Sequence, residues 1–419
     1  MSKVNKNNKA TNEVNKEVTK EVTKEVEKEV EKEEIKEETK NETKEKTDST
    51  PDNKIAAFLK KKDVEISLKR YGIDALGAMA QGLFCSLLIG TIIDTVGKQF
   101  GIGFLTQTVA TVAGKEYTAG GIASAMSGPA MAAAIGYALK CPPLVLFSLI
   151  AVGFACNALG GAGGPLAVLI VAIIASECGK LISKETKVDI LVTPLVTLGV
   201  GIGLSALIAK PLGDFALWTG GAIMWATKLQ PFLMGILVSV LVGVALTLPI
   251  SSAAICAALS LTGLAGGAAV AGCSAQMVGF AVMSFKENKW GGLVSQGLGT
   301  SMLQMGNIVK NPRIWIAPIL TSAITGPIAT CLFKLEMNGA PVSSGMGTCG
   351  LVGQIGVYTG WTNPSEAALS QGAAAITPGA WEWAGLILIS IVLPAILCPI
   401  INMGLKKLGW VKDGDMKLS

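Results

Sequence analysis

Residues 229–285 read LQPFLMGILVSVLVGVALTLPISSAAICAALSLTGLAGGAAVAGCSAQMVGFAVMSF, without one Asp, Glu, Lys or Arg. A helix needs about 20 apolar residues to cross a bilayer, so this run holds at least two segments. Pro249-Ile250-Ser251-Ser252 divides it. A soluble protein would have to wet one face of such a helix with charge; a bilayer removes that need. Further uncharged runs occupy 75–93, 117–139, 141–176, 190–209, 314–333 and 383–405. The run 141–176 is again too long for one crossing and breaks at Gly160-Gly161-Ala162-Gly163-Gly164-Pro165. The pattern predicts an all-α polytopic membrane protein with eight to ten membrane segments, some of them broken or re-entrant.

Charge is distributed to match. Only 16% of the 419 residues are charged, against about a quarter in soluble domains. Residues 1–50 hold 12 Lys and 14 Asp+Glu, so 26 of the 65 charges lie there and 39 remain for the other 369 residues. Residues 1–53 read as a charged, low-complexity cytoplasmic tail in which KEVT, KEVT, KEVE, KEVE repeat from Lys16. Val18, Val22, Val26 and Val30 recur every fourth residue, which drifts about 40° per repeat on a 3.6-residue helix. No straight seam forms, so a solvated segment is the plain expectation and a docking arm the sharper one. No apolar stretch follows early enough for a cleaved signal peptide. Residues 54–73 mix Ile55, Phe58, Leu59, Val64, Ile66 and Leu68 with Lys and Arg, the pattern of a basic amphipathic interfacial helix. A transmembrane domain over 74–407 and a short cytoplasmic tail over 408–419 complete the division.

Orientation follows the basic residues. Lys60, Lys61, Lys62, Lys69 and Arg70 precede the first run; Lys180, Lys184 and Lys187 follow the fourth segment; Lys286, Lys289, Lys310 and Arg313 form a third group; Lys406 and Lys407 end the last. Placing all four on one side puts both termini in the cytoplasm with an even number of crossings. The eight Trp fall mostly near segment ends, as an interfacial belt requires, with Trp361 set apart. Fifty Gly promise close helix contacts and broken helices, which suit a transporter around a central site better than an anchor.

The chain contains no His, which removes imidazole acid–base catalysis, imidazole metal ligands and a phosphohistidine carrier. GGAGGP at 160–165 lacks the Lys-Ser/Thr of a phosphate loop. Nine Cys are scattered without a C-x-x-C pair, so neither a disulfide framework nor a zinc site follows. No cofactor is expected, and a net charge of +5 spread between apolar runs indicates no nucleic acid. Glu177 with Lys180 one turn on reads as a snorkelling ion pair. The informative residues are polar and uncharged: Ser251, Ser252, Gln276, Gln296, Gln304, Asn307, Asn311 and Gln354 in or beside apolar runs, then Asn363 and Glu366 after Trp361. Each alone is explained by an interhelical hydrogen bond. Together they describe a polar cavity of the kind that holds vicinal hydroxyls. The substrate-binding set is Glu366, Asn363, Ser251, Ser252, Gln304, Asn307, Gln354 and Gln276. For Glu366 a first-turn carboxylate behind a Ser365 or Asn363 cap is the competing reading. GLGTS (297–301) and GMGTC (345–349) echo each other as two similar loop tips.

Six stretches carry a family resemblance: KKKDVEISLKRYGIDALGAMAQGLF (60–84), KETKVDILVTPLVT (184–197), QPFLMGILVSVLVGVALTLPISSAAI (230–255), AQMVGFAVMSF (275–285), GLGTSMLQMGNIVKNPRIWI (297–316) and GMGTCGLVGQIG (345–356). Through them the chain resembles the membrane-embedded IIC component of the bacterial phosphotransferase system, in its type-2 branch. The resemblance implies a multi-pass cytoplasmic-membrane permease, homodimeric, that binds a sugar or polyol and presents it to a separate phosphorylated IIB protein served by IIA. Phosphoryl transfer would then lie outside this chain. Sugar-specific relatives carry a substrate-contacting His and a Gly-Ile-Thr-Glu-Pro motif; this chain has no His, and Asn363-Pro-Ser-Glu366 is a loose counterpart. Some relatives are membrane regulators of toxin expression, so a sensor on the same fold is the second reading. An ion-coupled secondary transporter is the third, disfavoured by the scarcity of carboxylates within spans.

Overall fold

The computed structural model describes residues 51–112 and 114–418, and the KEVT repeat with most of the expected 1–53 tail lies outside the described residues. The chain divides into two compact units between Asp63 and Val64. In the first, helix α1 spans Pro51–Lys61, and the Lys62 ammonium sits 5.6 Å from the Phe58 ring centroid. Asp63 then adopts φ +52°, a left-handed conformation that stops a helix. The continuous interfacial helix expected over 54–73 is therefore interrupted, and its last residues open the first membrane helix instead.

The second unit is nearly all helix. Its strands β1 (Ala110–Val112) and β2 (Lys115–Tyr117) form one small antiparallel hairpin. The membrane helices begin with α2 (Arg70–Gln99), which carries π-helical turns at Arg70–Ala75 and Phe84–Leu88. After α3 (Ser127–Ala138) comes the apolar run Pro143–Ile182. As one rod its 40 residues would be about 60 Å long, twice the roughly 30 Å hydrocarbon core. It is a hairpin. Gly161, at φ +51° and ψ −120°, turns the chain between α4 (Pro143–Gly160) and α5 (Gly164–Ile182). Gly179 near the end of α5 lies against Val145 at the start of α4. The expected division at the glycine cluster is present.

Helix α6 (Asp189–Ala226) continues beyond the uncharged run 190–209, through Pro194, Pro211 and the exposed Lys210 and Asp214. Next come α7 (Pro231–Thr247), α8 (Gly263–Met283) and α9 (Pro312–Leu332). These three approach closely because small residues line the contact. A Cβ on Gly243 would lie 2.8 Å from the Gly272 carbonyl oxygen. Ser239 Oγ donates to the Ser322 carbonyl at 2.7 Å, and Thr330 Oγ1 to that of Pro231 at 2.7 Å. Helix α8 is the central post, 94% of its apolar window being buried. The largest cluster of buried side chains includes Met79, Ile135, Leu149, Phe280 and Ile314, from α2, α3, α4, α8 and α9. Two later helices, α10 (Val352–Thr362) and α11 (Ala380–Lys407), complete the set.

The spans sort the two ends of the unit. Helix α8 runs from Gly263 to Met283, just before Lys286; α9 starts at Pro312 beside Arg313 and ends at Leu332; α11 runs from Ala380 to Lys407. One end therefore gathers Lys286, Arg313, Lys406 and Lys407, while Gly263, Leu332 and Ala380 mark the other. At that far end Gly263 pairs with Met337 in an isolated antiparallel bridge. On the basic side, Arg70 Nη2 and Lys180 Nζ both donate to the Leu139 carbonyl, at 2.9 and 3.3 Å. Lys180 also pairs with Glu177 at 2.9 Å. Lys180 is only 2% exposed, so the pair is buried against α3 rather than snorkelling to water.

Candidate functional site

The two echoing glycine motifs are the tips of two re-entrant loops. One loop leaves the end of α8 near Lys286, passes through Phe285–Val294 and Ser295–Gly299, and returns through Met305–Lys310 to the basic end. The other leaves Asn338, passes through Pro341–Gly345 and Cys349–Leu351, and returns along α10. Its start and finish are tied together, since Ser365 N donates to the Asn338 carbonyl at 2.9 Å and Ser365 Oγ to that of Gly339 at 2.8 Å. The tips meet where Thr348 Oγ1 donates to the Gly297 carbonyl. Gly347 has φ +54° and is pressed against Cys273 and Ser274, the middle of α8, a position that only glycine fills without strain. Irregular backbone at this depth survives where protein buries it or a cavity hydrates it.

Around the tips lies a set of buried polar side chains. Thr247, at the end of α7, shares a 2.8 Å hydrogen bond with Ser301. Gln276 Oε1 accepts from Trp315 Nε1 at 2.8 Å and from Thr247 Oγ1 at 3.3 Å. Gln354 Nε2 donates to Ser274 Oγ at 3.3 Å. Gln276 Nε2 and Gln354 Oε1 are buried without a hydrogen-bond partner. Each orphan costs about 1–3 kcal/mol, so one donor and one acceptor are held beside the centre at a cost in stability. Ser252 Oγ donates to the Gly345 carbonyl at 2.7 Å, while Ser251 caps Ser252–Ala258 by accepting from Ala254 N at 3.2 Å. Ser251, Ser252 and Thr300 border a cavity of about 40 Å³, closed by Leu88, Met302 and Met346. That space admits a water molecule, so a larger solute passes here only when the tips part.

Gln304 and Asn307 do not face this cavity. Gln304 Nε2 donates to Gln296 Oε1 at 2.8 Å and to the Met416 carbonyl at 2.9 Å; Asn307 Nδ2 donates to Gln304 Oε1 at 2.8 Å and to the Lys417 carbonyl at 2.9 Å. Glu287 accepts from the backbone N–H of Gly414 and Met416, and Asn288 bonds Met416 O and Leu418 N. The residues expected as a short C-terminal tail are thus clamped into an amide-lined groove, with Val411 and Met416 buried. Glu366 and Asn363 are likewise apart from the centre. Both are exposed; Ser365 caps the short helix Glu366–Leu369, and Glu366 occupies its first turn. Among the described residues no hydrogen bond joins the three groups, so the single cavity expected for all eight residues is separated into a centre, a basic-end groove and a far-end cap. Thr247, Ser274, Ser301, Trp315 and Thr348 join the centre without having been singled out individually. For Ser301 and Thr348 a signal existed: each lies within one of the echoing motifs.

The family profile described as Phosphotransferase system, EIIC matches residues 73–418. No curated protein and no solved structure matches the chain. The match covers the whole helical unit from the first turns of α2 to the clamped C-terminus, and with it both re-entrant loops. This chain therefore belongs to the phosphotransferase system EIIC family, and is a multi-pass permease component of a sugar phosphotransferase system in the cell membrane.

Proposed function

We propose that the protein binds a sugar or polyol between its two opposed loop tips and delivers it to the basic face, which is cytoplasmic, for phosphorylation by a separate IIB carrier served by IIA. The contact of Thr348 with Gly297 beside the unpaired Gln276 Nε2 and Gln354 Oε1 carries this reading. It supplies a gate of two loops reached from opposite ends, with one donor and one acceptor that a substrate hydroxyl can satisfy. Of the expected set, Ser251, Ser252, Gln276 and Gln354 are the central contacts. Gln304 and Asn307 act at the basic-end exit, and Asn363 and Glu366 border the far-end approach. The chain works as a homodimer, with support from α6: only 22% of its apolar window is buried within one chain, leaving a long face for lipid or a second copy. The reading that both termini are cytoplasmic has the support of the basic end, which holds Arg70 and the C-terminal groove.

The test is a melting-temperature screen of the purified full-length protein in detergent against sugars and polyols. A true substrate at about 100 times its Kd adds roughly 2.7 kcal/mol of stability, and at least one compound should raise the melting temperature saturably. A flat response across the panel contradicts the proposal.

A further inference from the structure

The cavity at Ser251, Ser252 and Thr300 is too small for a sugar in this conformation, and the space of about 330 Å³ beside Gly297 and Thr348 is walled almost wholly by apolar side chains, but the far end is both roomy and polar. A cavity of about 270 Å³ opens there, between the end of α9, the end of α10 and the start of α11. Its floor comes from a strand-like stretch after α9. Leu335 and Met337 are buried at 3% and 0% exposure, and Lys334, Glu336 and Asn338 alternate with them along the cavity, which Leu335 also borders, as in extended chain. Lys334 enters the stretch at φ +48°, a strained conformation for a non-glycine residue; it marks the turn from helix into this floor.

The walls are aromatic. Trp381 stands against Phe333 with ring centroids 4.7 Å apart, more than half of its own surface being exposed. Trp361, the tryptophan that does not fit an interfacial belt, is 3% exposed and packs edge-on to Trp383 at 5.3 Å. Two carboxylates are held in place, each by one oxygen. Glu336 Oε2 accepts from Asn338 Nδ2 at 2.8 Å, and Asn338 Oδ1 accepts in turn from Gly263 N at 3.2 Å. Glu382 Oε2 accepts from Gly379 N at 2.8 Å. The second oxygen of each carboxylate remains available to an adjacent hydroxyl.

We infer that this far-end cavity is an outer docking site for a neutral, pyranose-sized sugar or hexitol, held before it enters the central gate. The inference rests on the permease reading and adds a place and a set of residues to it. The exposed Trp381 face offers an apolar surface to the C–H side of a sugar ring. Glu336 and Glu382 accept charge-assisted hydrogen bonds from vicinal hydroxyls, and Lys334 offers a donor. Small-molecule sites of this kind combine apolar walls with a few fixed polar groups. The mixed signs of Lys334, Glu336 and Glu382 favour an uncharged polyhydroxyl compound over a simple cation.

The test titrates the full-length protein in detergent with neutral hexoses, hexitols, choline and calcium chloride, following intrinsic tryptophan fluorescence. At least one hexose or hexitol should change the emission saturably. Trp381→Leu should weaken that binding tenfold or more and remove most of the signal, and the double variant Glu336→Gln/Glu382→Gln should weaken it comparably with an unchanged melting temperature. If Trp381→Leu does not fold, the glutamate pair, which alters charge and little else, decides. A sugar bound equally well by wild type and the glutamate variant overturns the docking site while leaving the permease reading intact. A response to choline or calcium with none to sugars overturns the assignment of ligand class. A panel that the wild-type chain does not bind at all overturns both.

Discussion

Gln276 is fully buried on α8, with its carbonyl oxygen engaged by Trp315 and Thr247 and its Nε2 without a partner. Gln276→Leu strands the Trp315 indole N–H at a cost of about 1–3 kcal/mol and removes the unpaired Nε2, whose burial costs a similar amount. The melting temperature without sugar should therefore stay nearly unchanged while the ligand-induced shift disappears, both read from one thermal melt with and without sugar. An unaltered ligand shift in the variant would remove Gln276 from the site. Amides such as Gln276 and Gln354 were legible because an apolar run tolerates them only for a reason. Thr247 and Ser274 were not, since hydroxyls are common in membrane helices and usually bond the carbonyl one turn back. Glu366 was ambiguous because Asn363-Pro-Ser365 supports both a cavity wall and a cap; the structure shows the Ser365 cap and an exposed carboxylate.

The C-terminal segment behaves as an element even though it has no regular secondary structure. Its charged residues Lys412, Asp413, Asp415 and Lys417 gave no sign of docking, while Val411 and Met416 alone are too sparse a pattern to announce burial. What fixes it is the row of Glu287, Asn288, Gln304 and Asn307, which lies far off in sequence. Removing residues 411–419 should take away the bonds these groups make to the segment, at about 0.5–1.5 kcal/mol for each lost hydrogen bond. It should also expose the amide groove. A cysteine placed at Gln304 should then react with a hydrophilic maleimide at least tenfold faster than in the full-length chain. Equal rates would mean that the segment does not seal the groove. Acid should break one exposed tie at its edge while the buried amide contacts persist. The hydrogen bond and charge of Lys406 hold the Asp413 carboxyl below its usual range. That tie is therefore complete at neutral pH and is lost as pH falls through the lowered value. The helix breaks at Gly160–Pro165 and Pro249–Ser252, by contrast, were plain in the sequence, because Gly and Pro announce them locally.

At the scale of the molecule, charge and loop geometry give one consistent layout. The spans α8, α9 and α11 each place their basic flank at the same end, and the two re-entrant loops enter from opposite ends to meet at mid-α8. Alkaline phosphatase fused after Lys407 should be inactive, and a green fluorescent protein fused there should fluoresce, if the basic end is cytoplasmic as proposed. Strong phosphatase activity would reverse the orientation. The class of the fold and its glycine breaks could be read from uncharged run lengths. The meeting of the loop tips could not, since contacts between segments about fifty residues apart leave only the short GLGTS and GMGTC echo behind.

The most direct measurement is uptake of radiolabelled sugars and polyols by membrane vesicles containing this chain, with and without phosphoenolpyruvate and the soluble phosphotransferase proteins of the same cell. At least one compound should accumulate inside as its phosphate ester, only when the phosphocarriers are supplied, and Gln276→Leu should abolish it. Accumulation of the unmodified compound that collapses with an ionophore, or no chain-dependent uptake of any compound, would contradict the proposal.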